Sequence, residues 1–317
     1  MNASAEKRLQ ELIETRTVVV IAGPTASGKT AVSLELAHYI NAEIISADSR
    51  QIFKYLDIGT AKATAEERSS APHHFIDIVE PDEYYSAGIF GKQALDTVNE
   101  IFSRNALPLI VGGSGLYIKA LCEGFFEEEQ KTPPEIKSEL EQRFKNEGIE
   151  PLYEELKQFD QLSAELYRDK NPRRILRALE FYLTTGRRLS QAHLEQQTKP
   201  EFNVVYFGIE HERKALYDRI NRRCEAMWSG GLLDETQAVM DKGFSPTLNS
   251  LNTVGYKEAI AYIDGRITEN EALELFKRNT RRYAKRQMTW FRANRSLVWL
   301  SGSAQKIADD IRFILNL

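Results

Sequence analysis

Gly23-Pro24-Thr25-Ala26-Ser27-Gly28-Lys29-Thr30 follows the apolar run TVVVIA (17–22) and opens a stretch in which Val32, Leu36 and Ile40 recur every four residues. That is a buried strand, a turn and a helix. The octapeptide satisfies G-x-x-x-x-G-K-[ST] in full, in the strand-to-helix setting that gives the pattern its mechanism. Glycines at both ends let the backbone curl, so that the N–H groups of 25–30 turn toward an anion, and the helix adds the positive end of its dipole. Gly23, Pro24, Thr25, Ala26, Ser27, Gly28, Lys29 and Thr30 are therefore expected to cradle a di- or triphosphate. Lys29 would reach the terminal phosphate, and the Thr30 hydroxyl would ligate magnesium. Nucleotide-binding and ATP-binding proteins share this pattern, but it does not specify ATP, and the guanine-reading N/T-K-x-D motif is absent.

Outward from this turn, strand candidates at 43–47 (EIISA), 75–79 (FIDIV) and 107–111 (LPLIV) alternate with helical stretches such as 88–103. Alternation of this kind implies an α/β fold, a mostly parallel sheet with helices on both faces. Two later strands, 204–209 and 297–300, are expected to rejoin it. Between residue 111 and these later strands the pattern is helical at 136–146, 151–157, 162–167 and 173–184, behind an acidic run at 127–131 and ahead of a linker at 198–200. The reading is a P-loop core over 1–126 and 201–317, with a helical C-terminal part ending in a long basic helix at 269–294. An all-helical insertion domain occupies 127–200.

Of the 317 residues 42% are hydrophobic and 28% charged, which excludes a disordered chain. No apolar run approaches the length needed to cross a bilayer, and the first residues show no apolar signal core. Two distant cysteines and five scattered histidines offer neither a disulfide framework nor a zinc site, and a reducing, cytoplasmic setting is expected. The net charge of −4 conceals an asymmetry: residues 277–295 hold eight basic residues and no acid, and 168–188 hold seven against two acids. Such concentrated charge suits a polyanionic partner.

Asp48 ends the second strand candidate, where an open α/β sheet presents side chains to its ligand crevice. It suits a water-mediated magnesium site, a general base, or a plain strand-end cap.

The ordered set GPTASGKT (23–30), ADSRQ (47–51), DIGTAK (57–62), HHFIDIV (73–79), YSAGIF (85–90), GGSGLY (112–117), NPRRILRALE (171–180), NTVGYKE (252–258) and KRQMTWFR (285–292) resembles the tRNA dimethylallyltransferases, or isopentenyltransferases. The likeness spans nearly the whole chain. It implies transfer of a dimethylallyl group from dimethylallyl diphosphate to the exocyclic amine of the adenosine just 3′ of the tRNA anticodon. The P-loop would then hold a diphosphate leaving group, aided by Arg223 (Arg222 is adjacent), and the helical insertion would help grip the anticodon stem-loop. The resemblance assigns catalysis to Asp48, Ser114 and Lys29. It assigns tRNA contact to Asp48, Ser49, Arg50, Gln51 and Ser114, to Lys137, Arg173, Arg174, Ile175, Leu176 and Arg177, and to Thr253, Lys257, Lys285, Arg286 and Arg292. Mg2+ is the implied cofactor, with Thr30 as its ligand, and a monomer the expected state. Ser114 stands where Thr is usual in the family, and Lys137 where many members carry Arg.

That chemistry suits the residues. An adenine amine is a weak nucleophile, so its partner must be a strong electrophile. An allylic diphosphate becomes one by partly ionising once charge on the leaving group is neutralised, here by Lys29, the amides of 25–30 and magnesium. The amine grows acidic as the bond forms, and a carboxylate within reach takes its proton. The principal alternative is a P-loop kinase with Asp48 as base or metal carboxylate; an RNA-binding protein that uses the P-loop as a ligand switch, and transfer to free adenine nucleotides, are two others. Plainer readings stand beside several residues: a solvated helix start for 172–177, core packing for Trp290 and Phe291, and structural hydrogen bonding for His73 and His74, which point to opposite faces if extended.

Overall fold

The computed structural model describes residues 3–124, 132–195 and 200–317. The acidic run at 127–131 and linker positions 198 and 199 lie outside the described residues. Six parallel strands, β1 (Thr17–Ala22), β2 (Ala42–Ser46), β3 (His73–His74), β4 (Leu107–Gly112), β5 (Asn203–Ile209) and β6 (Leu297–Leu300), form one sheet in the order β3-β2-β4-β1-β5-β6. Every residue of β1, β2 and β4 is buried, so both faces of the central sheet are covered. That is why β1 and β4 are near-continuous apolar runs rather than alternating ones, while β2 carries Glu43, held by Arg104 and His74.

β1 is the pivot. The chain crosses from it to β2 on one side, β4 slots between them, and β5 and β6 extend the other side. Ala22 pairs with Gly112 and with Gly208, so the P-loop and the turn after β4 leave the same end of the sheet at adjacent strands. Gly112 is forced by this crowding: a Cβ there would lie 2.1 Å from the carbonyl oxygen of Ala47.

The expected strand at 75–79 is not one. β3 is only His73–His74, because Phe75 and Asp77 adopt left-handed backbone angles (φ 65° and 57°) that break an extended run. Asp77 instead binds Lys62 and Arg68, and Val79 keeps a single bridge to Phe53. The histidines are held by local bonds, His73 Nδ1 with the carbonyl of Ala71 (2.8 Å) and His74 Nε2 with Glu43 (2.7 Å).

The chain divides into two compact units, Met1–Cys122 with Pro200–Leu317, and Glu123–Lys199. The second contains helices Pro134–Glu147, Glu150–Phe159, Gln161–Leu166, Pro172–Thr185 and Leu189–Glu195, and no strand among its described residues. Leu140, Leu152, Leu156, Ile175 and Leu179 form a core of its own. Asp160 is buried within it and accepts bonds from the backbone and side chains of both Ser163 and Ser190. Burial opposes its ionisation, but those four bonds outweigh it and hold the carboxyl below its ordinary value.

Candidate active site

The P-loop curls as the glycines demand. Ala26 and Gly28 are left-handed (φ 64° and 94°), and a Cβ on Gly23 would lie 3.0 Å from the Ile209 carbonyl. Neighbouring side chains hold its carbonyl groups: Lys29 Nζ donates to Pro24 (2.8 Å), Arg219 Nε to Ala26 (2.9 Å), and His211 Nε2 meets Ser27 (2.8 Å). One expectation needs correcting. The amides of 25–30 do not all face a ligand, because Thr25 N–H donates to Gln287 Oε1 (2.8 Å) and Ser27 N–H to the Pro24 carbonyl (3.2 Å). The helix Lys29–Tyr39 begins directly after the turn, and its first-turn amides supply the remaining donors. Ser27 Oγ is buried without a partner among the described residues, a cost that proteins accept chiefly where function requires it.

One pocket gathers Thr25, Lys29, Thr30, Asp48, Gln51 and Arg223, so much of the expected set converges. Arg223 Nη2 donates to the Thr25 hydroxyl, while Arg222 is exposed. Burial pushes Lys29 down to about 8, with Asp48 opposing the shift and Arg223 adding to it. Burial likewise lowers Arg223, against the pull of Cys224 and Asp48. Two desolvated cations facing a single carboxylate lack countercharge; a polyanion in the pocket would relieve both. Ile44, Ile76, Val111 and Ala61 supply an apolar wall beside these charges.

Asp48 Oδ1 accepts the Arg50 N–H (2.9 Å), which orients the carboxylate at the strand end. Ser114 is not in the pocket lining; it stands next to Gly113, which is. Gln51 is engaged structurally, accepting from Ser46 Oγ (3.0 Å) and donating to the carbonyls of Thr60 and Ala61. Arg50 Nη1 reaches the Asn249 carbonyl (2.8 Å), tying the 47–51 turn to the segment that carries Thr253. Ser49 is half-buried beside Arg50, and Lys257 is exposed. Lys285, Arg286 and Arg292 are exposed on the helix Glu269–Arg292, whose Phe291 is buried in the core. Trp290 is partly exposed, and its indole lies where a Cβ on Gly115 would sit.

In the helical unit, Lys137, Arg173 and Arg174 are exposed, Leu176 is half-buried, and Arg177 bonds Thr132 and Glu180 (both 3.4 Å). Ile175 is 0% exposed, so its side chain belongs to that unit's core rather than to a binding face.

Further residues that shape the pocket are absent from the expected site set. Glu235 accepts the N–H groups of Asp57, Ile58 and Gly59 and the hydroxyl of Tyr256 (2.6 Å), seating the 57–62 loop whose Thr60 and Ala61 line the pocket. A Cβ on Gly59 would lie 2.5 Å from the Tyr256 ring, so the DIGTAK and NTVGYKE blocks are two halves of one contact. Tyr283 and Gln287 also line the pocket, and burial pushes the Tyr283 hydroxyl up to about 12.

A P-loop at the carboxyl end of a parallel sheet, two cations short of countercharge and a facing carboxylate define a phosphate-handling P-loop α/β enzyme. The family model described as IPP transferase matches residues 51–294, and the chain belongs to that family. The chain is 44% identical over 283 residues to the tRNA dimethylallyltransferase of Pelotomaculum thermopropionicum, covering 89% of this chain and 90% of that one. Among solved structures it resembles the full-length tRNA isopentenylpyrophosphate transferase of Bacillus halodurans (39% identity, TM-score 0.69, 95% and 97% of the two chains covered). It also resembles a eukaryotic dimethylallyltransferase acting on tRNA (26% identity, TM-score 0.79, 95% and 80% covered). Family membership decides for the transferase over the kinase. No helix among the described residues is long and apolar enough to cross a membrane.

Proposed function

We propose that this enzyme transfers the dimethylallyl group of dimethylallyl diphosphate to the exocyclic N6 amine of the adenosine 3′ to the anticodon in tRNA, releasing diphosphate. The observation that carries the reading is the pairing of under-compensated Lys29 and Arg223 with Asp48 across one pocket. The bond from the allylic carbon to the diphosphate oxygen breaks while the carbon–nitrogen bond forms. Lys29, Arg223 and the first-turn amides take the charge that grows on the leaving group, and Asp48 takes the proton that the amine loses. Ser114 stands beside Asp48 to bond the acceptor base, which must leave its stack to enter.

The oxygen donors Thr30 Oγ1 and Asp48 suit Mg2+, which prefers oxygen ligands and keeps several waters and substrate phosphates in its shell. No cluster of three or more His, Cys, Asp or Glu residues that could hold a metal occurs among the described residues, so the fit is to an ion arriving with the diphosphate. Thr30 would hold it, and when bound it would further neutralise the leaving group.

The exposed cations of the Glu269–Arg292 helix and of the helical unit suit RNA phosphates, which position a substrate without reading its sequence. The helical unit, as the 127–200 insertion domain, is assigned the grip on the anticodon stem-loop. We take the enzyme to work as a monomer in the cytoplasm, a setting that its two buried cysteines tolerate. The test is mass spectrometry of an anticodon stem-loop RNA incubated with the enzyme and dimethylallyl diphosphate. The expected product carries one isopentenyl group on the adenosine next to the anticodon; phosphoryl transfer from ATP in its place would sink the reading.

A further inference from the structure

Gln287 is 7% exposed and uses both ends of its carboxamide. Its Oε1 accepts the Thr25 N–H at 2.8 Å, and its Nε2 donates to the Gly113 carbonyl at 2.9 Å. One end therefore grips the diphosphate cradle, and the other grips the turn that carries Ser114. A Cβ on Gly113 would lie 2.3 Å from Gln287 Nε2, so a side chain at 113 would push the carboxamide aside. Trp290, three residues further along the same helix, abuts Gly115. Ser114 is thus pinned between two contacts from the Glu269–Arg292 helix, while its own N–H is given to the Ala47 carbonyl (3.1 Å).

We infer that Gln287 is a positioning residue for the transfer, a strut that sets the spacing between the leaving-group cradle and the acceptor turn. The inference rests on the transferase reading. Carbon–nitrogen bonding needs the amine and the allylic carbon within roughly 3–3.5 Å and aligned, and a misplacement of about 1 Å costs on the order of a hundredfold. The carbon is held through its diphosphate by the P-loop, and the amine by Asp48 and Ser114. Neither substrate needs to touch Gln287 for the spacing to depend on it. The carboxamide supplies one donor and one acceptor on the two arms of a single planar group. A carboxylate would set an oxygen against the Gly113 carbonyl, and a thioether would bond neither partner well.

The test compares wild type, Gln287→Met, Gln287→Glu and Gly113→Ala in single-turnover and steady-state assays with stem-loop RNA and dimethylallyl diphosphate. Gly113→Ala displaces the strut from its other end without removing it. Each variant should lose roughly a hundredfold in the single-turnover rate, with KM for both substrates within about threefold of wild type. The Gln287→Met/Gly113→Ala double variant should lose little more than either single one, because both act on one contact. A wild-type enzyme without transferase activity would overturn the functional reading itself. With an active wild type, unchanged rates, a rise in KM alone, or fully multiplicative losses in the double variant would overturn the strut. Thermal unfolding of each variant separates misfolding from misplacement: Gly113→Ala, folded and fully active, would be enough to discard the inference.

Discussion

Ser114 gives its backbone N–H to the carbonyl of Ala47 at 3.1 Å, which sets it beside the residue that follows Ala47 in the chain, Asp48. Two strand ends that are far apart in sequence thus bring a hydroxyl residue and a carboxylate residue together at the edge of one pocket. In the proposed reaction this is where the acceptor amine would bind and meet its base.

Asp48→Asn keeps the shape and the acceptor for the Arg50 N–H, but it cannot take a proton. Its rate in single-turnover assays should fall by roughly a hundred- to ten-thousand-fold, with dimethylallyl diphosphate affinity nearly intact. Recovery of activity on raising magnesium would instead assign Asp48 to the metal.

The Lys29 amine, lowered to about 8 by burial, should lose its proton in mildly alkaline solution. A bound diphosphate favours the charged form and raises that value. Affinity for dimethylallyl diphosphate, measured without RNA, should be flat below about pH 8 and weaken above it, by up to about tenfold per pH unit. Lys29→Arg should abolish the dependence, since guanidinium stays charged. Lys29→Ala should cripple turnover and spare RNA affinity; an equal loss of RNA binding would contradict the separation of the two sites.

Arg173 and Arg174 are exposed on the helical unit. Neutralising both should weaken RNA binding and reduce the slope of log affinity against log salt by about 0.7–0.9 for each phosphate left without its cation. Ile175→Ala should act differently, lowering stability by about 2–5 kcal/mol through a core cavity and leaving the slope unchanged. Titrations at several salt concentrations distinguish the two.

Asp160 ionises more readily folded than unfolded, so its contribution to stability is complete above the ordinary carboxyl value of 3.8 and is lost as pH falls through the lower folded value. Asp160→Asn should flatten that acid limb of the stability curve. It should also cost about 2–3 kcal/mol at neutral pH, because one acceptor is replaced by a donor amid four donors. Denaturant unfolding across pH 2–7 checks both.

β1 and β4 are legible because burial on both faces writes them as nearly unbroken apolar runs, and the P-loop because its glycines answer a local backbone need. The run at 75–79 misleads because it too is mostly apolar, but Phe75 and Asp77 turn left-handed to bring Asp77 onto Lys62. Such a tertiary ion pair leaves no periodic trace. Glu235 leaves no such trace either, because it serves backbone groups far away in the chain and a single Glu on an amphipathic helix looks like solvated surface. Gln287 falls inside the KRQMTWFR block, but nothing in that block tells which two backbone groups it joins. The choice between Arg222 and Arg223 is a rotation of about 100° on a helix, which packing alone decides.

The position of β1 between β4 and β5 also sets the order in which the protein can be made. Thr17 pairs with Asn203, so one side of the central strand stays open until the whole helical unit has been synthesised. A nascent chain must therefore carry an unsatisfied apolar strand edge past the ribosome exit. Meanwhile Glu123–Lys199, with its local helical contacts and its own core, is already able to compact. The sheet closes only when β5 arrives, which makes the interval between the two strands the period of greatest exposure to aggregation and to chaperone capture.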